Sequence, residues 1–347
     1  MDAVTQRALI ERIAAHRAVG RGTDTAGSVM HAPVTDYTDP ERHSAELAAI
    51  HREPALVGLS GLVPEPRSHA TVDVGDRSVV VTRDDDGVVH AMLNVCRHRG
   101  AEVVSGCGET ARLTCPYHGW TYALDGSSVS RRRSEHFDGD GDGLTRLAVL
   151  ERDGVIWVCA DPAGSLPDQP LQGAERELVP LDLASLRLFG VRRFTRPLNW
   201  KLAVDTFCEA YHLRTLHATT LDPLIHSDFA VFDPFGPHGR MAAVRRSIDD
   251  LDLADPTLEL VPHATLLWFL VPNAVFIYQQ DHVQLYVCRP GAHPGEAVLD
   301  VSVYVPIDTP KPDSYWQRNH DLLIDVTDTE DFATAAAIQR GFDAGAQ

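Results

Sequence analysis

Two short boxes of the sequence each combine a cysteine with a histidine. Cys96 and His98 form the first box, C-x-H, and Cys115 and His118 form the second, C-x-x-H, sixteen residues further on. Structural zinc sites also use two cysteines and two histidines, but zinc pairs are usually separated by two to four residues. Here each box supplies one thiolate and one imidazole. That set suits a [2Fe–2S] cluster with two thiolates on one iron and two neutral imidazoles on the other, which eases electron uptake.

A histidine pair further along the chain is a candidate for a second metal. His212 and His217 lie five positions apart on a helix predicted over about 201–217. Five residues turn a regular α-helix through about 500°, so the two rings point about 140° apart. To meet at one ion, the helix must be broken or widened, as in the π-type bulges of functional sites. Taken by itself, the pair is more simply explained as two partly buried helix histidines.

The elements that position these residues change character along the chain. Residues 1–20 predict an amphipathic helix, and 21–45 are rich in Gly, Thr, Asp and Pro and predict an extended arm. From about 50 to 165, short β-type runs alternate with Asp-Gly and Gly turns, which indicates a small antiparallel β domain. Examples are Ser78–Thr82, Val88–Asn94, Ala111–Cys115, Trp120–Leu124 and Val155–Cys159.

The remainder of the chain mixes strands with a few long helices. A strand beginning at Phe194 runs into the helix over 201–217, and a last helix fits 313–342, split near Thr327. Further strands are predicted at Met241–Arg246, Ala274–Gln279, Val283–Arg289 and Val298–Val305. Because βαβ alternation is absent from the pattern, the fold class is α+β. We predict an arm at 1–45 that packs on the catalytic domain, a β domain at 46–165 and a catalytic domain at 166–347.

Composition and charge exclude several classes of function. The 347 residues are 44% hydrophobic and 23% charged, as in ordinary globular proteins. With 49 acidic and 31 basic residues, the net charge of -18 disfavours binding to nucleic acid or anionic lipid. The most apolar stretch, Thr265–Tyr278, is too short to span a bilayer. The first twenty residues do not resemble a signal peptide, so a cytoplasmic protein without a membrane partner is expected.

The residues around the metal boxes carry a family resemblance. The segments CRHRGAEV (96–103) and CPYHGWTYALDGS (115–127) resemble the two cluster boxes of Rieske non-haem iron oxygenase α subunits. The segment NWKLAVDTFCEAYHLRTLH (199–217) resembles the iron-binding segment of the same family. The resemblance implies a Rieske [2Fe–2S] domain and a helix-grip catalytic domain, an antiparallel sheet with long helices. It also implies that His212 and His217 bind a mononuclear Fe(II).

The same resemblance supplies a third iron ligand and a relay residue. The stretch around Asp331 matches the segment that provides a carboxylate ligand, with Glu330 as the alternative. Two histidines and one carboxylate form the facial triad of non-haem iron oxygenases. Glu209 matches an acidic residue that links the iron histidine to a cluster histidine, here His118, of a neighbouring subunit. The family's head-to-tail ring, usually a trimer, is implied in the same way.

The resemblance implies a terminal oxygenase, with Glu209, His212, His217 and Asp331 as catalytic residues. It uses O2 and electrons that come from NAD(P)H through a reductase and in some cases a ferredoxin. The expected reaction is mono- or dihydroxylation of a small aromatic or alicyclic compound. The alternative is oxidative N- or O-demethylation of a quaternary amine or methoxy compound with the same metals. An electron-transfer-only Rieske protein would leave the C-terminal half unexplained.

An acidic oxygenase needs a local basic surface to receive an acidic electron donor. Basic side chains beside the cluster boxes form such a surface, which we call the arginine patch: Arg97, Arg99, Arg131, Arg132 and Arg133. Candidate pocket residues are aromatic or polar and lie near the iron segment or in the apolar strands: Phe207, Tyr211, Phe229, Trp268, Asn273 and Phe276. The alternative for each is an ordinary place in the core.

Overall fold

The computed structural model describes residues 1–20, 22–137 and 142–345. The chain divides into two compact units. The smaller unit is Ala45–Pro170, and the larger unit combines Met1–Ser44 with Leu171–Gln347. We had predicted 46–165 for the β domain, so the observed division lies one residue earlier at one end and five residues later at the other.

The smaller unit is built from antiparallel strands. A seven-stranded sheet has the order β1-β10-β9-β4-β3-β2-β5, and a three-stranded sheet has the order β6-β7-β8. The strands are β1 (Ala55–Leu59), β2 (Ser68–Val74), β3 (Arg77–Arg83), β4 (Val89–Leu93), β5 (Cys107–Glu109), β6 (Leu113–Thr114), β7 (Thr121–Tyr122), β8 (Ser128–Ser130), β9 (Arg146–Arg152) and β10 (Val155–Cys159). Cys96 and Cys115 belong to a buried cluster that also contains Val80, Leu113 and Tyr122. The core therefore holds both cysteines in place.

The larger unit is organised around a second seven-stranded antiparallel sheet, with the order β11-β17-β16-β15-β14-β13-β12. Its strands are β11 (Leu186–Arg196), β12 (Ile225–Phe235), β13 (His238–Arg245), β14 (Ala264–Leu270), β15 (Ala274–Tyr278), β16 (Val283–Pro290) and β17 (Ala297–Pro306). The helices of the chain are α1 (Ala3–Ala18), α2 (Thr35–Thr38), α3 (Pro40–Arg52), α4 (Glu175–Leu178), α5 (Trp200–Asp205), α6 (Leu213–Leu216), α7 (Asp313–Val326) and α8 (Ala333–Asp343).

Helices pack against this sheet. Helix α7 contacts β11 and β17, and α5 contacts β16, β17 and α8. The α+β class and the helix-grip arrangement are confirmed. Among the described residues, no helix has both the length and the apolar composition that are needed to cross a bilayer.

The N-terminal arm differs from the extended segment predicted over 21–45. Gly22–Asp24 pairs with β12 through a bridge between Thr23 and Ala230, as an extended arm does. From Thr35 onwards, however, the chain is helical, and α3 begins at Pro40. The Asp39 side chain accepts the backbone N–H of Glu41 at 2.8 Å. Proline in the first turn behind an aspartate is a strong helix start, and this signal outweighs the loop-like composition.

Candidate metal centres

The two cysteine–histidine boxes form loops of the same design. In the first, the Cys96 N–H donates to the Ala101 carbonyl at 2.8 Å, and Gly100 N–H donates back to the Cys96 carbonyl at 2.9 Å. In the second, the Cys115 N–H donates to the Trp120 carbonyl at 2.8 Å, and the N–H of the glycine at 119 donates back at 3.0 Å. Both glycines have left-handed φ angles of 77° and 74°, which a side chain would strain.

These loops bring the four predicted cluster ligands to one place. The Nδ1 atoms of His98 and His118 lie 3.1 Å apart. Cys96 and Cys115 are buried, and Cys96 Sγ lies 3.3 Å from the Tyr122 hydroxyl oxygen. Burial raises the pKa of the Cys115 thiol, so a cation must be present for a buried thiolate pair to be stable. Desolvation, with His118 and Arg99, lowers the pKa of His98 and favours the neutral ring that ligation needs. The donor set fits a [2Fe–2S] cluster of Rieske type.

Aromatic and basic side chains surround the histidine edge of this centre. The His98 ring stacks on Trp120 with centroids 4.8 Å apart and 7° between planes. The Arg131 guanidinium lies 5.5 Å from the centroid of the Trp120 ring, and Arg97 forms an ion pair with Asp142 at 3.2 Å. Arg99, Arg132 and Arg133, the other members of the arginine patch, are exposed. The arginine patch therefore presents exposed positive charge to the solvent, although Asp142 neutralises part of the charge of Arg97.

The second centre depends on a break in the helix that we had predicted over 201–217. Helix α5 ends at Asp205 and α6 begins at Leu213. His212 occupies the N-cap position of α6, and His217 occupies its C-cap position with φ -101° and ψ 29°. Neither histidine lies within a continuous α-helix, so the 140° separation of a regular helix does not apply. The rings lie 5.0 Å apart, centroid to centroid.

Asp331 is directed towards both histidines by a π-helical segment, Thr327–Phe332, between α7 and α8. Its Oδ1 lies 3.0 Å from His217 Nε2 and 3.7 Å from His212 Nε2. One ligand atom from each of the three residues falls within 4.8 Å of the others. Asp331 is 5% exposed and His217 is 1% exposed. Two imidazoles and one carboxylate match the donor set of mononuclear non-haem Fe(II), so these residues fit that metal.

A glutamate contacts the Nδ1 atom of each histidine, on the side of the ring away from Asp331. His212 Nδ1 lies 2.5 Å from Glu209 Oε1, and His217 Nδ1 lies 2.5 Å from Glu330 Oε2. Glu209 also accepts the backbone N–H of His212 at 3.2 Å, and Thr220 Oγ1 donates to Glu330 at 2.9 Å. Glu330, the alternative ligand predicted from sequence, therefore lies on the outer side of His217, whereas Asp331 lies on the inner side.

These contacts affect the proton equilibria of the site. Burial acts to lower the pKa of His217, but Asp331 and Glu330 outweigh it and raise that pKa. Burial likewise acts to raise the pKa of Glu209, but its hydrogen bonds with His212 and the adjacent backbone lower it. The region around the two rings is thus strongly negative, and a divalent cation would stabilise it.

The three residues open into a cavity of about 360 Å³. Leu221, Leu267 and Ile277 contribute apolar walls, and Phe207 and Tyr286 contribute aromatic ones. Of the six predicted pocket residues, Phe207 lines the cavity. Trp268, Asn273 and Phe276 are buried in the core, and Tyr211 is 76% exposed; Phe229 is only partly buried and does not line the cavity.

Family models match two separate regions of the chain. Residues 54–139 match the Rieske [2Fe–2S] domain, and residues 183–347 match the catalytic domain of the ring-hydroxylating α subunit. The chain belongs to the Rieske oxygenase α-subunit family. The resemblance read from the two cysteine–histidine boxes and from segment 199–217 is confirmed.

Several relatives of this Rieske oxygenase α subunit have named activities. It is 34% identical over 206 residues to the glycine betaine monooxygenase oxygenase subunit of Chromohalobacter salexigens. The matched region covers 56% of this chain and 45% of the relative. This chain is 33% identical over 195 residues to the chloroplastic choline monooxygenase of Amaranthus tricolor. That match covers 53% of this chain and 44% of the relative. The matched region thus spans a little under half the length of these curated relatives.

The fold also matches a solved structure, a quaternary ammonium Rieske monooxygenase in complex with L-carnitine. The TM-score is 0.76 at 23% identity, over 89% of this chain and 84% of that one. At this identity the likeness concerns the fold.

Sequence reasoning missed most of the cavity lining of this α subunit. Arg245, Gln279, Asp281, Tyr286 and Lys311 all line the cavity. In the sequence, Arg245 ends an apolar run and Gln279 follows another, which is also typical of strand ends on a surface. The register of β13, β14 and β15, which a single sequence does not supply, is what directs them inwards.

Proposed function

We propose that this chain is the terminal oxygenase component of a monooxygenase that acts on a quaternary ammonium compound. The overall reaction inserts one oxygen atom from O2 into a C–H bond and reduces the other to water with two electrons and two protons. Insertion into an N-methyl group gives a hydroxymethylammonium cation, which loses formaldehyde and a proton to leave a tertiary amine, so the net result is N-demethylation. The curated relatives act on glycine betaine and choline. They support the alternative, quaternary-amine substrate class better than the aromatic or alicyclic class.

The observation that carries the proposal is the convergence of His212, His217 and Asp331 on the cavity, in a chain that also has the cluster boxes. Cys96, His98, Cys115 and His118 would hold the [2Fe–2S] cluster, and the three cavity residues would hold Fe(II). When bound, the cluster supplies single electrons and the mononuclear iron supplies the O2 chemistry. An electron carrier without oxygenase activity would not require the second donor set.

The glutamates behind the histidines fix which ring nitrogen faces the metal. A carboxylate beside Nδ1 keeps the ring proton on that atom, and the lone pair of Nε2 is then available for ligation. In this structure Glu209 and Glu330 hold the two Nδ1 atoms, and both Nε2 atoms lie on the Asp331 side. The residues therefore preorganise the metal-binding faces of both rings.

The cavity offers suitable surroundings for a methylated ammonium group. The rings of Phe207 and Tyr286 have centroids 4.6 Å apart, and the Tyr286 hydroxyl is satisfied by Thr327 Oγ1 at 3.0 Å. Aromatic faces attract quaternary ammonium cations and tolerate their methyl groups.

Electron delivery completes the proposal. We assign the arginine patch as the docking surface for an acidic reductase or ferredoxin that passes on electrons from NAD(P)H. A closed head-to-tail assembly, a trimer by family resemblance, would let the cluster of one subunit serve the iron of the next. In that assembly Glu209 would link His212 to His118 of another copy. Its contact with His212 supports one half of this link.

Iron, acid-labile sulfide and the EPR spectrum of the dithionite-reduced protein test this function. We expect about three irons and two sulfides per chain, with a Rieske-type signal. After addition of O2, a single turnover of the reduced protein with glycine betaine or choline should yield oxidised product. Zinc without sulfide would overturn the proposal. Two irons with an intact cluster, unchanged after Fe(II) addition, would indicate an electron carrier instead.

A further inference from the structure

Arg245 is a cavity-lining cation that forms no direct ion pair among the described residues; Asp281, which lines the same cavity, acts on its charge only through space. It ends β13, and its Nη2 donates to Gln279 Oε1 at 2.5 Å. Its Nε is buried and makes no hydrogen bond. A guanidinium group has five N–H donors, and in the part of the chain that the structure describes, Gln279 is the one acceptor that it uses. Burial lowers the pKa of Arg245, and the charge of Asp281 offsets this only in part.

Neighbouring strands place polar groups beside Arg245. Thr265 of β14 pairs with Ala243 of β13, and Gln279 directly follows β15. Thr265 Oγ1 lies 3.4 Å from the same Gln279 oxygen that Arg245 contacts. Arg245, Thr265 and Gln279 thus form one polar corner of a cavity that also has apolar walls.

The other charges of the cavity are already engaged. Asp281 binds Lys311 Nζ, lies 2.6 Å from His282 Nδ1 and accepts the Tyr315 hydroxyl at 3.1 Å. Asp331 and Glu209 face the two metal-site histidines. The carboxylates of the cavity therefore have partners, and Arg245 is left as a positive charge facing the space where a substrate would lie.

We infer that Arg245 is the receptor for a carboxylate of the substrate, so that the substrate is a quaternary ammonium carboxylate and not a quaternary ammonium alcohol. This inference rests on the function proposed above and adds the substrate class. A guanidinium binds a carboxylate through paired, charge-assisted hydrogen bonds. A zwitterionic substrate would place its carboxylate against Arg245. Its methylated ammonium group would lie towards Phe207, Tyr286 and the carboxylates of the metal site. A cationic alcohol would leave Arg245 unpaired and add a second positive charge to the cavity.

Binding measurements with the metal-loaded protein test this inference. The probes are glycine betaine, which carries a carboxylate, and choline, which has the same trimethylammonium head on an alcohol. For the wild type we expect a lower Kd for glycine betaine than for choline, by about tenfold or more. In Arg245→Gln the Kd for glycine betaine should rise about 10- to 100-fold while that for choline changes little. Arg245→Lys should keep part of the preference for glycine betaine, because lysine retains the positive charge but lacks the paired N–H donors of a guanidinium.

Arg246→Gln is the matched control. Arg246 is adjacent in sequence, but its guanidinium binds the Asp222 carboxylate and carbonyl and does not line the cavity. The preference for glycine betaine should survive in this variant. Iron content and the EPR signal, measured in each variant, show whether both centres are intact.

Failure of the Arg245 assignment and failure of the proposed function give different results. If the wild type binds choline as tightly as glycine betaine, or if Arg245→Gln keeps the preference, the role of Arg245 is wrong while the quaternary-amine function stands. If neither compound binds or is oxidised by the loaded wild type, the proposed function itself fails.

Discussion

Glu330 and Asp331 are adjacent carboxylates with different positions in the π-helical segment, and their substitution should have different effects. Asp331 Oδ1 lies on the Nε2 side of both histidines, whereas Glu330 lies against His217 Nδ1. We predict that Asp331→Asn loses the mononuclear iron, so that iron falls from about three to about two per chain with an unchanged Rieske signal. Metal analysis and EPR of the purified variant measure both quantities.

Glu330→Gln is the matched variant for this prediction. An amide in place of the outer carboxylate weakens the hold on the His217 ring, and such outer-sphere changes usually cost about 10- to 100-fold in metal affinity. We therefore expect iron that is retained at high Fe(II) concentration and lost on dilution or mild chelation. Loss of all mononuclear iron in Glu330→Gln, with full retention in Asp331→Asn, would reverse the two assignments.

Glu209 has a role within the chain as well as its proposed role between subunits. It holds His212 Nδ1 and accepts the His212 backbone N–H. In Glu209→Gln we expect both centres to remain loaded in excess Fe(II), while product formed per reduced cluster falls because the proposed link is broken. Stopped-flow oxidation of the cluster in the presence of substrate and O2 measures this. Full turnover in the loaded variant would show that Glu209 is not the link.

At the scale of elements, two helices depart from regular geometry at the points where the metal ligands lie. We expected the widening or break within 201–217. It occurs there as a gap between α5 and α6, and the π-helical geometry instead occurs at Thr327–Phe332, which presents Asp331. Spacing alone showed that one continuous helix cannot direct both histidines to one ion. The spacing could not show whether the helix breaks or bulges between the histidines, because both cases give the same sequence periodicity.

Strand register explains why the metal ligands were predictable and the cavity was not. Cysteine and histidine at C-x-H and C-x-x-H spacing restrict the chemistry to very few options, so residue type by itself is informative. Arg245 and Gln279 become cavity residues only through the pairing of β13, β14 and β15. Trp268 and Phe276, which we considered as pocket residues, pair with each other across β14 and β15 in the core.

A cross-strand ion cluster links three strands of the larger sheet. Asp300 of β17 binds Arg193 of β11 at 2.7 Å and Arg289 of β16 at 2.7 Å. Burial alone would raise the pKa of Asp300, but the two arginines outweigh it and hold that pKa below its ordinary value. The folded state is therefore stabilised above the unfolded pKa of about 3.9, and this stabilisation is lost as the pH falls through the lower, folded pKa.

We predict that Asp300→Asn destabilises the larger unit by about 3–5 kcal/mol at neutral pH, because it removes the carboxylate that pairs with the buried Arg289. The corresponding fall in Tm is about 6–20 °C. Calorimetry at several pH values between 7 and 3 measures the difference from wild type. That difference should begin to shrink below about pH 4, where Asp300 of the unfolded chain takes up a proton, and should disappear only below the lower, folded pKa. A difference that stays constant down to pH 3 would contradict the ion-pair explanation.

At the scale of the whole molecule, the order of the two metal-binding regions and the α+β class followed from the sequence pattern and the family resemblance. The boundaries of the units did not follow to the residue. Pro40 and Asp39 start a helix inside the predicted arm, and the division between the units falls after Pro170, within a proline-rich stretch of the chain. Proline marks irregular backbone but does not say with which core that backbone packs.

The distribution of charge sets the last prediction. The chain carries a net charge of -18, so an acidic electron donor is repelled by most of its surface and attracted only by local basic groups. Arg132 is an exposed member of the arginine patch, in the unit that carries the cluster boxes. We expect Arg132→Glu to slow reduction of the cluster by an acidic ferredoxin, several-fold at low salt and less at about 0.5 M salt, where charges are screened beyond a few ångströms.

Arg192→Glu provides the control for this experiment, because it makes the same change in net charge at an exposed arginine of the larger unit. If docking depends on the arginine patch, the rate of cluster reduction should respond to Arg132→Glu and hardly to Arg192→Glu, and dithionite should reduce both variants at the wild-type rate. Equal slowing in the two variants would mean that net charge controls the encounter. A wild-type rate in Arg132→Glu at every salt concentration would place the docking surface elsewhere.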